Sequence, residues 1–364
     1  MFRPPSAPEA AAYRGPHSLE RLELSRLQGF EEDDLFAAFD VFLRSCKAIA
    51  EGTPPLRGAA NTPLALQSIA RAALRSAISD SATAKWFFKT NFRPFRIKPK
   101  ESGGTGFLTG YYEPFVEASL VRTSAFLAPV LGWPHNFHRH ELLPPRAAIE
   151  AGALDGRAQP ILWLRDLVEV FLAQVQGSAR ARLADGTGLR LIYAGRNGHP
   201  YTSIGRLLME NGEIPESEMS LAALKYWIRT HGQNEGEAGL ALMRRNQSYV
   251  FFTLAADDGE GSGPIGGQGI ALSPLRSIAI DRAIWPYGLP FWISAELPWQ
   301  SQSTSCFRRL MITQDTGSAI IGPARADIFF GSGDDAGARA GDIRHGCDMT
   351  VFLPAKEPMK NGDG

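Results

Sequence analysis

The chain has 364 residues with 38 basic and 38 acidic side chains, so no net charge steers it toward nucleic acid or an anionic membrane surface. Its 44% hydrophobic and 21% charged content describes an ordinary globular protein, long enough for two domains or for one domain with a large insertion. Abundant glycine (37) and proline (25) favour turn-rich β architecture over a helical bundle.

The opening MFRPPSAPEAAAYRGPHSLE is proline-rich and lacks the apolar core of a secretory signal. No run of about eighteen apolar residues occurs, so no transmembrane helix is expected. Ser45-Cys46 superficially resembles a lipoprotein cleavage site, but the preceding DLFAAFDVFLR carries Asp34, Asp40 and Arg44 at helical spacing and reads as an amphipathic helix. As written, the chain shows no export signal.

Helices are expected from about Glu31 to Asn91, with Leu35, Phe39, Phe42 and Leu43 on one stripe. The prolines of FKTNFRPFRIKP end that pattern. From Gly103 the texture turns to strands and turns, as in GGTGFLTGYYEPFVEA, LVEVFLAQVQGSARARL and GLRLIYAGRNGHPYTS, with Asp185-Gly186 and Asn197-Gly198 as hairpin signals. A helical interlude (IGRLLMENG, then SLAALKYWIRTHGQNEGEAGLALMRRN) precedes further strands from SYVFFTLA onward. Cys46, Cys306 and Cys347 have neither CxxC nor His spacing, which argues against structural zinc and leaves a Cys306–Cys347 disulfide open.

Chemistry concentrates in LMITQDTGSAIIGPARADIFFGSG, where Asp315 and Asp327 sit in an apolar, glycine-studded background. Charged carboxylates are costly there, which invites a raised pKa and acid–base work. Asp315-Thr316-Gly317-Ser318 spells an aspartic protease signature, but the second copy that such enzymes need is missing. Glycoside cleavage instead needs a carboxylic acid protonated at working pH. Asp327, between Ala326 and Ile328-Phe329-Phe330, fits that need, and Arg325 on the same strand face would oppose the shift or bind substrate. Asp315 and Asp281 are further carboxylates, each of which could equally cap a turn.

Thr109 and Tyr111 share one strand face, while Tyr112 points the other way, so either ring could meet sugar but one of the two is expected in the core. Gln176 and Gln268 lie beside glycines that permit close approach to a ligand, and Arg206 at a helix start could take a carboxylate or pair with an acid. Lys225, Trp227 and Trp285 read as packing residues. Glu113, beside Pro114, reads as a turn residue rather than a catalytic one.

The segments FLTGYYEP, VEVFLAQVQGSARARL, YAGRNGHPYTSIGRLL, LMRRNQSYVFF and GGQGIALSPLRSIAIDRAIWPYGLPFWI are collinear with, and resemble, the membrane-bound lytic murein transglycosylase A family with its C-terminal three-aspartate (3D) domain. The resemblance runs from about Gly103 to Leu353. It implies a mainly β fold with N-terminal helices: a double-psi β-barrel, a second β-domain inserted into it, and a groove between them. The implied division is 1–105 as the helical part of the barrel domain, 106–246 as the insertion, and 247–364 completing the barrel.

The resemblance further implies cleavage of the β-1,4 bond between MurNAc and GlcNAc of peptidoglycan, with 1,6-anhydro-MurNAc ends. Asp327 would be the catalytic acid and base, Asp315 and Asp281 supporting carboxylates, and Thr109, Tyr111, Tyr112, Gln176, Arg206 and Gln268 substrate contacts. It implies no metal or cofactor, a monomer with glycan strands and cell-wall synthesis or division proteins as partners, and a periplasmic, outer-membrane-associated place of work. A non-catalytic glycan binder, a muramidase-type hydrolase and an aspartic protease are the competing readings.

Overall fold

The computed structural model describes residues 17–100, 103–138, 141–257 and 263–355, so the proline-rich opening segment before residue 17 lies outside the described residues. Strand β1 (His17–Arg21) precedes three helices, α1 (Leu35–Glu51), α2 (Leu64–Arg75) and α3 (Ser81–Asn91). Asp34 caps α1 by accepting the Ala37 N–H at 3.0 Å, and Gly52 ends it in the left-handed region at φ 66°. Its buried stripe includes Leu35, Phe39, Phe42 and Cys46. Phe39 packs edge-on against Phe87 of α3 at 5.1 Å, so the helices bind one another through aromatic contacts.

The chain then forms β2 (Phe92–Pro99) and β3 (Gly106–Glu113). An inserted region follows with β4 (Phe115–Ser119), β5 (Ala128–Leu131), α4 (Arg146–Glu150), β6 (Pro160–Leu164), α5 (Leu167–Gln176), β7 (Ser178–Arg182), β8 (Gly188–Arg196), α6 (Ile204–Glu210), α7 (Leu221–Thr230), α8 (Ala238–Arg245) and β9 (Val250–Ala256). It ends with β10 (Ser277–Ile280), β11 (Pro290–Leu297), β12 (Ser305–Asp315), β13 (Arg325–Ser332), α9 (Asp334–Gly341) and β14 (Arg344–Pro354).

Two compact units divide this chain. The first holds the described residues through Tyr111, then Ile265–Phe330, then those from Asp342 onward; the second holds Tyr112–Pro264 and Gly331–Gly341. The resemblance implied an insertion at 106–246. The pairing of β9 with β8 (Leu254 opposite Leu191) puts β9 in the second unit. Helix α9, in a segment read from sequence as β-rich, joins that unit with Gly337 close against the Tyr112 ring.

In the first unit the strand order β14-β11-β12-β10-β13-β3 closes on itself, because β3 pairs again with β14 from Arg344 opposite Thr109 to Cys347 opposite Gly106. The result is a closed six-stranded barrel where the resemblance implied a barrel. Strand β10 runs parallel to β12 and antiparallel to β13, with Ala279 opposite Asp327. Residues Leu310 to Asp315 of β12 are buried without alternation. One side faces the barrel core, while Gln314 reaches α1 by donating to the Val41 carbonyl and the Ser45 hydroxyl, each at 2.9 Å.

The second unit is a six-stranded sheet, β5-β6-β4-β7-β8-β9, with helices. Leu167–Gln176, expected as strand, is helix α5. Asp166 caps it by accepting the Glu169 N–H at 3.0 Å, and Gly177 closes it at φ 82°. One face of α5 (Val170, Ala173) packs on Val130, Leu162, Leu164 and Leu191 of the sheet. The other (Val168, Phe171, Leu172) packs on Ile204, Leu208, Ile228 and Met243 of the helices α6, α7 and α8. A helix covered on both sides is apolar all round, and its run of hydrophobic residues loses the 3.6 periodicity that would distinguish it from a strand.

Asp185-Gly186 makes the expected β7–β8 turn, with Gly186 at φ 87°. Asn197-Gly198 does not make a tight hairpin, because three helices intervene before β9. Asn197 instead is buried, donates to the carbonyls of Pro144 and Gln247, and accepts from the Tyr249 N–H. Among the described residues no helix is long and apolar enough to cross a membrane, and all three cysteines are free thiols.

Candidate active site

The first unit gathers Thr109, Tyr111, Asp315, Arg325 and Asp327. Residues 107, 109 and 111 of β3 share one face by strand alternation, as do 325, 327 and 329 of β13. Strands β3 and β13 are neighbours, and the two faces meet with the rings of Tyr111 and Phe329 centred 5.4 Å apart. The Thr109 hydroxyl donates to Asp327 Oδ1 at 2.6 Å. Arg325 donates from Nη2 to Thr109 Oγ1 at 2.7 Å and lies over the Phe107 ring at 5.4 Å.

Asp327 keeps a partly accessible surface while lying deep among protein atoms. Burial pushes its pKa up to about 6; the Arg325 charge and the Thr109 hydrogen bond restrain that rise, and the Asp315 charge adds to it. Its Oδ2 accepts no hydrogen bond among the described residues. The opposing influence of Arg325 is the one its strand position implied.

Asp315 is a carboxylate of another kind. Its Oδ1 accepts the Gly267 N–H at 2.7 Å and the Thr316 N–H at 2.8 Å, and lies 3.8 Å from Arg57. Its Oδ2 accepts the Tyr111 hydroxyl at 2.9 Å. Burial first, and Asp315 second, push the Tyr111 pKa well above the ordinary phenol range, so this hydroxyl stays a donor. Gly267 is required here: a Cβ would lie 2.4 Å from the Tyr287 hydroxyl, so only glycine brings its N–H this close. Glycines 266 and 267 had suggested close backbone approach to a ligand; the group approached is Asp315. Arg57, whose carbonyl accepts the Tyr287 hydroxyl at 3.0 Å, carried no sequence motif.

Asp281 is spent on backbone. It accepts the Ala283 N–H at 2.9 Å and the Gly322 N–H at 2.8 Å, fixing the turn after β10. The expectation of open aromatic faces is not met, since Tyr111 and Tyr112 are both buried. Tyr112 lies in the second unit, where its N–H donates to the Gln176 side chain at 3.1 Å, so Gln176 serves as a backbone partner. Gln268 is buried with its amide turned to Ser45, accepting from the hydroxyl at 2.8 Å. Arg206 is exposed and pairs with Glu210 at 2.7 Å, a helical i,i+4 contact. Trp285 packs as expected, fully buried with its N–H donating to the Pro323 carbonyl at 2.8 Å.

Glu113 is more than a turn residue. It is fully buried in the second unit, where Oε2 accepts from Arg180 Nε at 2.9 Å and the Ser332 hydroxyl at 2.7 Å, and Oε1 lies 3.6 Å from Arg190. Arg190 also holds Asp257 at 3.0 Å. Among the described residues no cluster of His, Cys, Asp and Glu has the arrangement to hold a metal ion.

Around Thr109 and Tyr111 the first unit therefore sets one poised acid, Asp327, near one saturated carboxylate, Asp315. Residues 107–253 match the MltA specific insert domain and residues 276–353 match the 3D domain. The chain is 36% identical over 248 residues to the membrane-bound lytic murein transglycosylase A of Vibrio cholerae, a match spanning 66% of this chain and 64% of that protein's length. Its structure is similar to that of a membrane-bound lytic murein transglycosylase from Agrobacterium tumefaciens (TM-score 0.80, 33% identity, 93% of this chain and 98% of the other). It is also similar to E. coli MltA with bound chitohexaose (TM-score 0.67, 27% identity, 95% and 96% covered).

Proposed function

Because the chain belongs to the membrane-bound lytic murein transglycosylase A family, we propose that it cleaves the β-1,4 bond between MurNAc and GlcNAc in peptidoglycan with formation of 1,6-anhydro-MurNAc ends. The observation that supports this reading most directly is Asp327: a carboxyl group raised to about 6 by burial, with one oxygen held by Thr109 and the other unspent.

Near neutral pH such a group interconverts readily between acid and base, which the reaction requires of one residue. Protonated Asp327 gives its proton to the glycosidic oxygen as the C1–O bond breaks and positive charge develops on the MurNAc ring. The resulting carboxylate takes the proton of the MurNAc C6 hydroxyl as that oxygen bonds to C1. The proton count balances, no water is consumed, and the acid is regenerated. Hydrolases use two carboxyl groups because one activates water or attacks C1; here the substrate's own hydroxyl fills that role. Asp315 suits a supporting role rather than proton transfer, since Tyr111 and two backbone N–H groups occupy its oxygens.

An oligosaccharide complex is described for the E. coli relative, and glycan strands are the partner proposed here. The relatives are named membrane-bound, which supports work at the cell envelope, in the periplasm beside the outer membrane.

The test is digestion of purified sacculi followed by mass spectrometry. Anhydro-muropeptides from the wild type and none from Asp327→Asn are the expected result. Reducing-end MurNAc would overturn the transglycosylase chemistry in favour of a hydrolase. Glycan binding without any product would make the chain a binding module.

A further inference from the structure

Arg325, Thr109 and Asp327 form a directed chain of hydrogen bonds, at 2.7 Å and then 2.6 Å. A guanidinium only donates, and a threonine hydroxyl has one proton to give. With Arg325 donating into Thr109 Oγ1, the threonine proton has no acceptor on the arginine side, and Asp327 Oδ1 is its acceptor on the other. A proton placed on Oδ1 would leave the threonine hydrogen unpaired beside a cation. Oδ2 has no such competitor among the described residues.

We propose that Arg325 is a positioning residue for the acid: acting through Thr109, it fixes Oδ1 of Asp327 as a permanent acceptor and reserves Oδ2 for the proton that the reaction moves. The inference rests on the reading of Asp327 as the acid and base, and adds which oxygen works and what directs it.

The charges around Asp327 agree with this assignment. Arg325 comes from its own strand β13, Thr109 and Tyr111 from β3, and Asp315 from β12 with Arg57 beside it. Cys347 of β14 lies near Arg325, and burial pushes its thiol up to about 12, which keeps it neutral. Burial and Asp315 favour the protonated acid, whereas Arg325 and Thr109 favour the carboxylate. The relay thus keeps Asp327 strong enough as an acid to release its proton to the leaving oxygen.

The test reads the Asp327 carboxyl directly, by 13C NMR titration of protein labelled at the aspartate carboxyl carbon, with Asp327→Asn for assignment. Arg325→Met and Thr109→Val should each move the Asp327 midpoint up by about one pH unit. The double variant should move it by less than the sum of the two single shifts, because part of the arginine's influence passes through the hydroxyl and the rest is its direct charge. Thr109→Ser should restore the wild-type midpoint, and Arg325→Lys part of it. The high-pH limb of sacculus cleavage should follow the same midpoints, since activity is lost as Asp327 deprotonates.

An unmoved midpoint with a lowered Tm would reduce Arg325 to a structural residue. A raised KM with an unmoved midpoint would make it a substrate contact; either result overturns the proposal. The titration needs no turnover, so a wild type without anhydro products would sink the functional reading while the relay was still measured.

Discussion

The two units each bury a carboxylate next to arginine, and they treat it in opposite ways. In the inserted unit Glu113 receives a guanidinium N–H and a serine hydroxyl on one oxygen, and a second guanidinium faces the other. In the barrel Asp327 receives one hydroxyl, and its arginine stands one hydrogen bond further away. Burial alone therefore does not mark a working acid. A carboxylate matched by cations placed directly on its oxygens is a structural anchor, whereas one left short of donors is held near the point of taking up a proton.

The comparison breaks first at Asp327. Asp327→Asn keeps the shape but removes the transferable proton, and kcat/KM for sacculi should fall by about 10²–10⁴-fold or more. Steady-state release of soluble muropeptides measures this. Glu113→Ala should leave the chemistry intact in the protein that remains folded, but it takes from Arg180 and Arg190 the buried carboxylate they share alongside Asp257. Removing one partner of a buried ion cluster costs about 3–5 kcal/mol, so urea denaturation should show a loss of that order. If Glu113→Ala were as stable as the wild type, the anchor reading would fail.

The same contrast has a pH signature. A carboxyl raised in the folded state binds protons more tightly there than in the unfolded chain. Its favourable contribution to stability is fully present below its ordinary pKa near 4 and is lost as pH rises through about 6. Above that pH the ionised, buried Asp327 weighs against folding by at most about 3 kcal/mol, given a shift of about two units. Asp327→Asn should accordingly be more stable than the wild type by about 1–2 kcal/mol at pH 7.5, with the gain vanishing by pH 4. Paired denaturation curves at the two pH values check it. A gain of equal size at both would point to packing instead.

The site was more legible in the sequence than the frame that carries it. Strand alternation alone puts Thr109 and Tyr111 on one face and Arg325 with Asp327 on another, and the structure joins those faces. Helices α1 and α3 announce themselves by capping aspartates and apolar stripes. Helix α5 hid because burial on both sides erased its periodicity, and Gln268 because an amide beside glycine reads the same whether it meets a ligand or Ser45. Arg146 gave no signal at all. It is fully buried, holds the carbonyls of Asn246 and Ser248 at 2.9 and 2.7 Å, and lies over the Phe171 ring at 4.7 Å. Its partners come from distant points of the chain, and no local pattern encodes such a meeting.

Arg206 offers the smallest effect and the finest discrimination. Its guanidinium is largely exposed, with Nε committed to Glu210 at 2.7 Å and its other nitrogens open to a carboxylate. An exposed i,i+4 pair is worth about half a kcal/mol or less, so Arg206→Ala should barely change the denaturation midpoint. If those nitrogens meet a stem-peptide carboxylate, the contact is also solvent-exposed and limited to about 1 kcal/mol, or roughly fivefold. KM should therefore rise by no more than that on glycan bearing stem peptides, and stay constant on glycan stripped of them by an amidase. An equal change on both substrates would place Arg206 against the sugar. No change on either would leave it a helix salt bridge, and substrate recognition would then have to be sought away from Arg206.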